Sequence, residues 1–259
     1  SCHDRSYQEW RQSVFSYDNP DQMLTCGGCH MRGRDGVAST LEGSPERRVH
    51  DHSVPGVGVA LIDFPRREEQ TALVQQALAA SVLPQLCVFP MPETRIEVLL
   101  ENIASGHAWP SCSRNRRAWV EVVAYAEDGS VLMQSGVVDD DTPLVDVDDP
   151  QLWVLGERYV NNGVEVLFPW EAAEIQADTL LPMDLFGDSQ HQRRDYIVPG
   201  GWVARATVRI RVRPERLDLL DALVESGDLD PAVRAAAPTW TVAYAELEWT
   251  PEGNVACVP

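Results

Sequence analysis

Apolar and polar residues alternate repeatedly after residue 92, which is the pattern of half-buried β-strands. A polar turn at Glu127–Ser130 separates two of the alternating stretches and predicts a β-hairpin there. Antiparallel strands joined by proline-rich turns are typical of a β-sandwich, here of about 170 residues. Five stretches show the pattern: Arg95–Glu101, Ala118–Tyr125, Val131–Gly136, Trp202–Val212 and Trp240–Trp249.

Helical periodicity is limited to a few segments. A helix is predicted from Pro65 to about Val82, with Glu68 and Glu69 in its first turn, and another over Leu217–Ser226. Ser6–Phe15 is a shorter amphipathic candidate in a loop-rich N-terminal region. Prolines at positions 84, 90 and 92 predict a linker. The expected fold is therefore α+β or mainly β: a small loop- and helix-rich domain with a linker helix over residues 1–85, then an antiparallel immunoglobulin-like β-sandwich over residues 86–259.

The charge of the chain excludes some partners. It has 259 residues, with 21 basic against 40 acidic, and every basic residue is arginine; the formal net charge is −19. Such a surface repels phosphate backbones, so nucleic acid is excluded as a partner, and an anionic membrane surface is disfavoured. No apolar run approaches the roughly 20 residues that span a bilayer.

The segment Cys26-Gly27-Gly28-Cys29-His30 has the spacing C-x-x-C-H, the attachment signature of c-type haem. Two thiols three positions apart can each bond one vinyl group of a porphyrin, and the adjoining histidine then reaches the iron. A zinc half-site would require a second Cys/His pair at suitable spacing, which the single cysteines elsewhere do not provide. A thioredoxin-like dithiol would require a strand–helix context that is absent here.

Several further motifs accompany this signature. Cys2–Ser13 reads C-H-x-x-x-Tyr-x-x-Trp-x-x-Ser, and Cys26–Met31 reads C-x-x-C-H-Met. His50–Gly56 carries two histidines before Ser-Val-Pro-Gly, Gly106–Ser111 reads Gly-His-x-x-Pro-Ser, and a strand pattern follows at Arg116–Val122. Together these segments resemble multihaem c-type cytochromes, which have an N-terminal haem domain and often a C-terminal β-sandwich.

The resemblance implies a haem c at Cys26, Cys29 and His30 and a second at Cys2 and His3, with His3 and His30 as proximal iron ligands. It implies His52 and His107 as the distal ligands. His50 and His191 are the remaining histidines, and solvated side chains are expected for them.

The chain departs from the family at two positions. Phe15 stands where the family has a distal histidine, and Cys112 stands where it has glycine. The cysteine that would precede Cys2 in a complete motif falls before Ser1. Two alternatives therefore remain for Cys2: it belongs to a second haem site, or it is a disulfide partner or a free thiol.

Other features allow more than one interpretation. The pairing among Cys87, Cys112 and Cys257 is open, and a disulfide at Cys112 that braces the His107 turn is one hypothesis. The acidic stretch of residues 139–149 lacks EF-hand spacing, so a solvated loop is expected rather than a calcium site. Four arginines alternate on one strand and face an acidic partner, a haem propionate, or water and local carboxylates: Arg205, Arg209, Arg211 and Arg213.

These observations predict an exported c-type cytochrome subunit, periplasmic or otherwise extracytoplasmic, that relays single electrons within a larger redox complex. Its expected partners are other redox proteins or cytochrome subunits, which the net charge predicts to have a basic docking patch. The chain shows no nucleophile elbow, phosphate loop or zinc-protease motif. Two alternatives are a haem enzyme acting on a small oxidised substrate, and a largely structural docking subunit with a residual haem.

Overall fold

The structure is a computed structural model that describes residues 4–16, 25–50, 56–90, 94–186 and 190–253. Within these residues the α-helices are α1 (Asp4–Arg11), α2 (Cys26–His30), α3 (Arg67–Ala79), α4 (Leu217–Glu225) and α5 (Pro231–Ala235). The strands are β1 (Gly33–Val37), β2 (Glu46–His50), β3 (Val82–Phe89), β4 (Arg95–Asn102), β5 (Arg117–Tyr125), β6 (Val131–Ser135), β7 (Trp153–Asn161), β8 (Val164–Val166), β9 (Glu174–Asp178), β10 (His191–Ile197), β11 (Arg205–Arg213), β12 (Trp240–Thr241) and β13 (Leu247–Trp249). Short 3-10 turns lie at Val14–Ser16, Leu144–Asp146 and Pro169–Glu171.

The strands form three antiparallel sheets in the described part of the chain. The largest has eight strands, in the order β12-β11-β5-β7-β8, with β13 also paired to β11, β6 to β5 and β9 to β7. A three-stranded sheet has the order β10-β4-β3, and β1 and β2 form a separate hairpin. No helix of the described residues is long and apolar enough to cross a membrane.

Alternation of side chains fixes the register of the central strands. β11 pairs with β5 along its whole length, from Arg205↔Tyr125 to Arg213↔Arg117. On β4, Ile96, Val98 and Leu100 are fully buried at every second position. A slip of one residue would turn this apolar row towards solvent, so burial of one face specifies the register.

One hydrophobic core joins the two larger sheets with α3. It contains Ile96 and Val98 from the three-stranded sheet and Val120 and Ile210 from the eight-stranded sheet. Val74, on the buried face of α3, belongs to the same core. The helix predicted at residues 65–82 therefore exists, with narrower bounds, and it packs on the sheets.

The predicted fold class, a small loop- and helix-rich haem domain followed by an immunoglobulin-like β-sandwich, is wrong. The chain is mainly β with several antiparallel sheets, and no helix-rich N-terminal domain is evident among the described residues. The first 60 residues contain two short helices and the β1–β2 hairpin. Both strands of that hairpin are exposed and polar, so they lack the apolar alternation that would reveal a strand. The division at residue 85 stays a prediction, and that position lies inside β3.

The predicted proline-rich linker is partly a strand. Pro84 is buried within β3, opposite Leu100 of β4. β3 is the last strand in the order β10-β4-β3, and a strand paired on one side tolerates a residue without an N–H donor. The predicted strand Trp240–Trp249 is likewise two short strands, β12 and β13, separated by a turn in which Tyr244 has φ 61°.

The arginines that alternate on β11 face local carboxylates, which was one of the predicted alternatives. Arg209 and Arg211 both contact the buried carboxylate of Glu121 on β5, and Arg211 also pairs with Asp140 at 2.5 Å. The Arg213 guanidinium instead donates to the backbone oxygens of Asp139 and Thr142. The arginines of β11 thereby hold the acidic stretch of residues 139–142 against the large sheet.

Candidate haem site

The C-x-x-C-H segment folds as the five-residue helix α2. Thr25 caps its N-terminus, because its Oγ1 accepts a hydrogen bond of 3.0 Å from the Gly28 N–H. Residues three and four apart lie on the same face of a helix, so Cys26, Cys29 and His30 share one face. The cysteines are exposed free thiols. Gly27 and Gly28 lie within this helix, and neither has a positive φ.

His107 lies between β4 and β5, and its ring is parallel to that of His30. The ring centres are 6.2 Å apart and the ring planes differ by 10°. Metal–imidazole bonds of about 2 Å, plus about 1 Å from each nitrogen to its ring centre, place two axial imidazoles of one iron about 6 Å apart. The 6.2 Å between the ring centres of His30 and His107 is therefore close to the separation of two imidazoles that bind one iron.

Hydrogen bonds at Nδ1 orient the His107 ring. Nδ1 lies 2.9 Å from the Ala108 carbonyl oxygen and 2.9 Å from Ser111 Oγ. In a metal-ligating imidazole, a carbonyl that accepts from one ring N–H fixes the tautomer and leaves the other nitrogen for the metal. This arrangement assigns the proton of His107 to Nδ1 and the ligand position to Nε2.

The surroundings of the site shift two pKa values. Burial lowers the pKa of His107, and the nearby His30 adds to this effect, while the hydrogen bond to Ala108 opposes it. Burial also raises the pKa of the Cys29 thiol, although Arg32 acts in the opposite direction. Burial thus favours the neutral imidazole, which is the protonation state that binds a metal.

Asn102 holds the turn that carries His107. Its side chain is 2% exposed at the end of β4. Nδ2 donates to the His107 carbonyl at 2.8 Å and to the Leu180 carbonyl at 3.3 Å, and Oδ1 accepts from the Ser105 N–H at 3.0 Å. Trp109 and Leu180 then exchange two backbone hydrogen bonds. The backbone on both sides of His107 is therefore fixed by buried contacts.

The N-terminal helix α1 also contacts this turn. Glu9 Oε2 accepts a hydrogen bond of 2.9 Å from the Ala108 N–H, and Arg5 links Glu9 to Glu157 of β7. A Cβ at Gly106 would lie 3.0 Å from Trp10 Cδ1, so the absence of a side chain at Gly106 allows the close approach of α1. α1 thus supports the segment that positions the His107 ring.

The remaining predicted site residues are divided between described and undescribed parts of the chain. Cys2, His3 and His52 lie outside the described residues, so the second site and its ligands stay predictions. His50 lies on β2, with Nδ1 2.7 Å from the Met31 carbonyl oxygen. His191 is exposed at the start of β10 instead of in the polar loop expected there.

The cysteines outside α2 differ from one another. Cys87 is disulfide-bonded, and Cys112 is a free thiol, so the hypothesis of a disulfide at Cys112 is wrong. Cys112 has φ 73°, in the left-handed region that favours glycine. The chain therefore keeps the backbone conformation at the position where the resembled family has glycine.

Sequence reasoning missed the residues that position His107. Asn102 and Glu9 belong to no motif, and Ser111 was given no role of its own in the Gly106–Ser111 motif, because each acts through a backbone group or through the ring of another residue. A buried polar residue at the end of the alternating strand β4 was the one available signal, because buried amides need partners.

The donor set fits a haem. A porphyrin supplies four nitrogens to its iron, so two axial side chains complete the coordination, and the two thiols of α2 stand beside His30. Among the described residues no group of three or more His, Cys, Asp or Glu converges on a shared metal position. Two free thiols beside His30, with a second imidazole near its ring, are a set of side chains that could hold a c-type haem.

Comparison with known proteins supports the sequence resemblance at the level of the fold. No protein-family model and no curated protein matches the chain. Among solved structures, it resembles a penta-heme cytochrome c552 from Thermochromatium tepidum, with a TM-score of 0.59 and 16% sequence identity. The match covers 95% of this chain and 50% of the cytochrome, so the chain spans about half the length of that protein. The likeness shows a fold similar to that of a multihaem c-type cytochrome.

Proposed function

We propose that this chain is an exported c-type cytochrome subunit that relays single electrons through a haem bound covalently at Cys26 and Cys29. The observation that carries this proposal is the parallel pair of His30 and His107, with ring centres 6.2 Å apart beside the two thiols of α2. His30 is the proximal ligand and His107 is the distal ligand. The fold shared with a penta-heme cytochrome supports the same conclusion.

The chain's residues have separate roles in this function. Cys26 and Cys29 would hold the haem covalently. Each S–H adds across one vinyl group, the sulfur bonding one carbon and the hydrogen the other. Asn102 and Glu9 hold the His107 turn, and the Ala108 carbonyl orients the ring. A bound haem supplies an iron that exchanges one electron. His30 and His107 would both bind the iron of this haem, and two histidine ligands would give it a lower potential than His/Met ligation and exclude substrate from it.

The proposal extends to a second haem and to an assembly. Cys2 and His3 provide the second attachment site, and His52 is its distal ligand. The protein works outside the cytoplasm, where other redox proteins or cytochrome subunits give and receive the electrons. A single relay subunit must exchange electrons with neighbours on both sides, so it functions as part of a larger redox complex.

Expression of the full chain in a host that matures c-type cytochromes tests the proposal. A pyridine haemochrome assay combined with the intact mass gives the number of covalently bound haems per chain. One haem supports attachment at α2, and two haems also assign an attachment site to Cys2 and His3. The Cys26→Ala/Cys29→Ala variant should lose one covalent haem. A wild-type protein without covalent haem would refute the function.

Optical and electron paramagnetic resonance spectra test the ligand pair. We expect a low-spin wild-type spectrum and, in His107→Ala, a high-spin component with rapid cyanide binding. His191→Ala is the matched control, because His191 is exposed on β10, and it should leave the spectrum unchanged. Rapid cyanide binding by the wild type would instead favour a haem enzyme, and a His107→Ala spectrum identical to wild type would contradict the assigned ligand.

A further inference from the structure

The β1–β2 hairpin differs in charge from the rest of the chain. Residues 31–50 contain four arginines against three acidic residues, whereas the whole chain has a net charge of −19. All four arginines are exposed: Arg32, Arg34, Arg47 and Arg48. We refer to residues 32–50 as the arginine hairpin.

The arginines of this hairpin lack carboxylate partners within the described residues. No ion pair involves them there, although most arginines elsewhere are paired, as Arg114 is with Glu157 and Arg234 with Asp221. Guanidinium groups without a carboxylate partner remain available to an external anion. Among the described residues, the arginine hairpin therefore groups four exposed arginines that have no carboxylate partner.

The register of the hairpin collects arginines on one face. Arg34 is opposite Val49 and Gly36 is opposite Arg47, and directly opposite residues share a face. Arg34 and Arg47 are thus diagonal neighbours on a face whose other members are uncharged. The Arg34 guanidinium extends over Gly36, where a Cβ would lie 3.7 Å from Nη1. Diagonal neighbours on one face of an antiparallel pair are about 7–8 Å apart, within reach of two arginine side chains, so one anion can contact both.

The hairpin is attached directly to the candidate haem site. β1 begins three residues after His30, and His50 at the end of β2 holds the Met31 carbonyl through Nδ1 at 2.7 Å. Arg32 follows His30 by two residues. A protein that binds the arginine hairpin would therefore lie beside the group attached at α2.

We propose that the arginine hairpin is the docking surface for an acidic redox protein, which binds Arg34 and Arg47 through its carboxylates. This inference rests on the proposed function, since it concerns the surface next to the same haem. It assigns an acidic partner to this face, whereas the net charge alone predicts a basic one. Charge complementarity at the site of contact decides the encounter, because screening limits the reach of distant charges to about 8–10 Å.

The first test measures oxidation of the reduced holoprotein by hexacyanoferrate(III), which takes one electron from the haem and becomes hexacyanoferrate(II). If the net charge alone acted, it would repel this anion, and the oxidation rate would rise with salt because salt screens the repulsion. We expect the rate to fall as salt increases, because the hairpin attracts it. Arg34→Glu/Arg47→Glu should slow the reaction about tenfold at low salt and reverse the salt dependence.

The matched control is Arg95→Glu/Arg205→Glu, which changes the net charge equally at two half-buried arginines on other strands, each paired with a carboxylate. It should retain most of the wild-type rate and the same sign of the salt dependence. A wild-type rate that rises with salt would overturn the proposal. Equal effects of the two double variants would do the same. A shift of the reduction potential without a change in salt dependence would assign the arginines to the haem propionates instead.

A second measurement does not depend on haem. Fluorescence anisotropy of labelled poly-L-glutamate at low salt should show binding to the full chain, weakened about tenfold by Arg34→Glu/Arg47→Glu and little by the control pair. No binding by the wild type would refute the acidic docking surface. Binding by a protein that the haemochrome assay finds free of haem would instead refute the proposed function and leave the anion-binding hairpin standing.

Discussion

Replacement of Asn102 by alanine tests how the His107 turn is held. The side chain makes three hydrogen bonds, to the carbonyls of His107 and Leu180 and from the N–H of Ser105. The Leu180 carbonyl keeps a partner in the variant, because it also accepts from the Trp109 N–H at 2.8 Å. Two backbone groups therefore lose the amide as a partner.

An unsatisfied buried polar group costs about 1–3 kcal/mol. His107 and Ser105 are only partly buried, so water can reach them in part. We therefore expect Asn102→Ala to lower the free energy of unfolding by about 2–4 kcal/mol. In the holoprotein the freed turn should also weaken the bond from His107 to the iron and produce a high-spin fraction.

Urea unfolding followed by circular dichroism measures the first effect, and the visible spectrum measures the second. Asn161→Ala is the control, since Asn161 makes one exposed hydrogen bond to the Glu171 carbonyl and should cost less than about 1 kcal/mol. A loss below about 0.5 kcal/mol in Asn102→Ala, with an unchanged spectrum, would show that the turn does not depend on this side chain.

Three further predictions concern the rest of the chain. Gly136→Ala should lower the free energy of unfolding in urea by more than about 3 kcal/mol, because φ is 71° and the new Cβ would overlap the Val120 carbonyl oxygen. A smaller decrease would mean that the backbone can move there. Arg213→Met should lower the free energy of unfolding by about 2–3 kcal/mol and speed proteolysis of residues 139–142, because the Asp139 and Thr142 carbonyls lose their guanidinium donor. Unchanged proteolysis would contradict this. Burial raises the pKa of Glu215, so the stability of the wild type relative to Glu215→Gln should be greatest below pH about 4.3 and fall as pH rises through the raised pKa. Urea unfolding of both proteins between pH 4 and 7 checks this, and a difference in unfolding free energy that stays constant with pH would exclude it.

Local sequence is sufficient for the attachment helix and the central strands. Cys26, Cys29 and His30 share a helix face because of their spacing alone, whatever the rest of the chain does. β4, β5 and β11 were predicted because one or both faces are buried, and burial imposes apolar residues at regular positions.

Exposed and irregular elements left no such signal. β1 and β2 expose most of their side chains, so nothing in their composition distinguishes them from a loop, and the free arginines appear as a surface only once the strands are paired. Pro84 predicted a linker because a proline is excluded from a strand paired on both sides, but β3 is paired on one side.

By itself, the sequence determined that two thiols and a histidine lie together, and that His107 sits in a turn before a long strand. Only the tertiary structure decided that His107 faces His30. That pairing depends on the buried amide of Asn102, the Glu9 carboxylate of α1 and the bridge between Trp109 and Leu180. Each of these contacts joins segments that are distant in the chain or acts through backbone groups that every residue has. Residue identity and spacing therefore encode the candidate attachment site, while the position of the proposed second ligand is set by how the folded chain satisfies its buried hydrogen bonds.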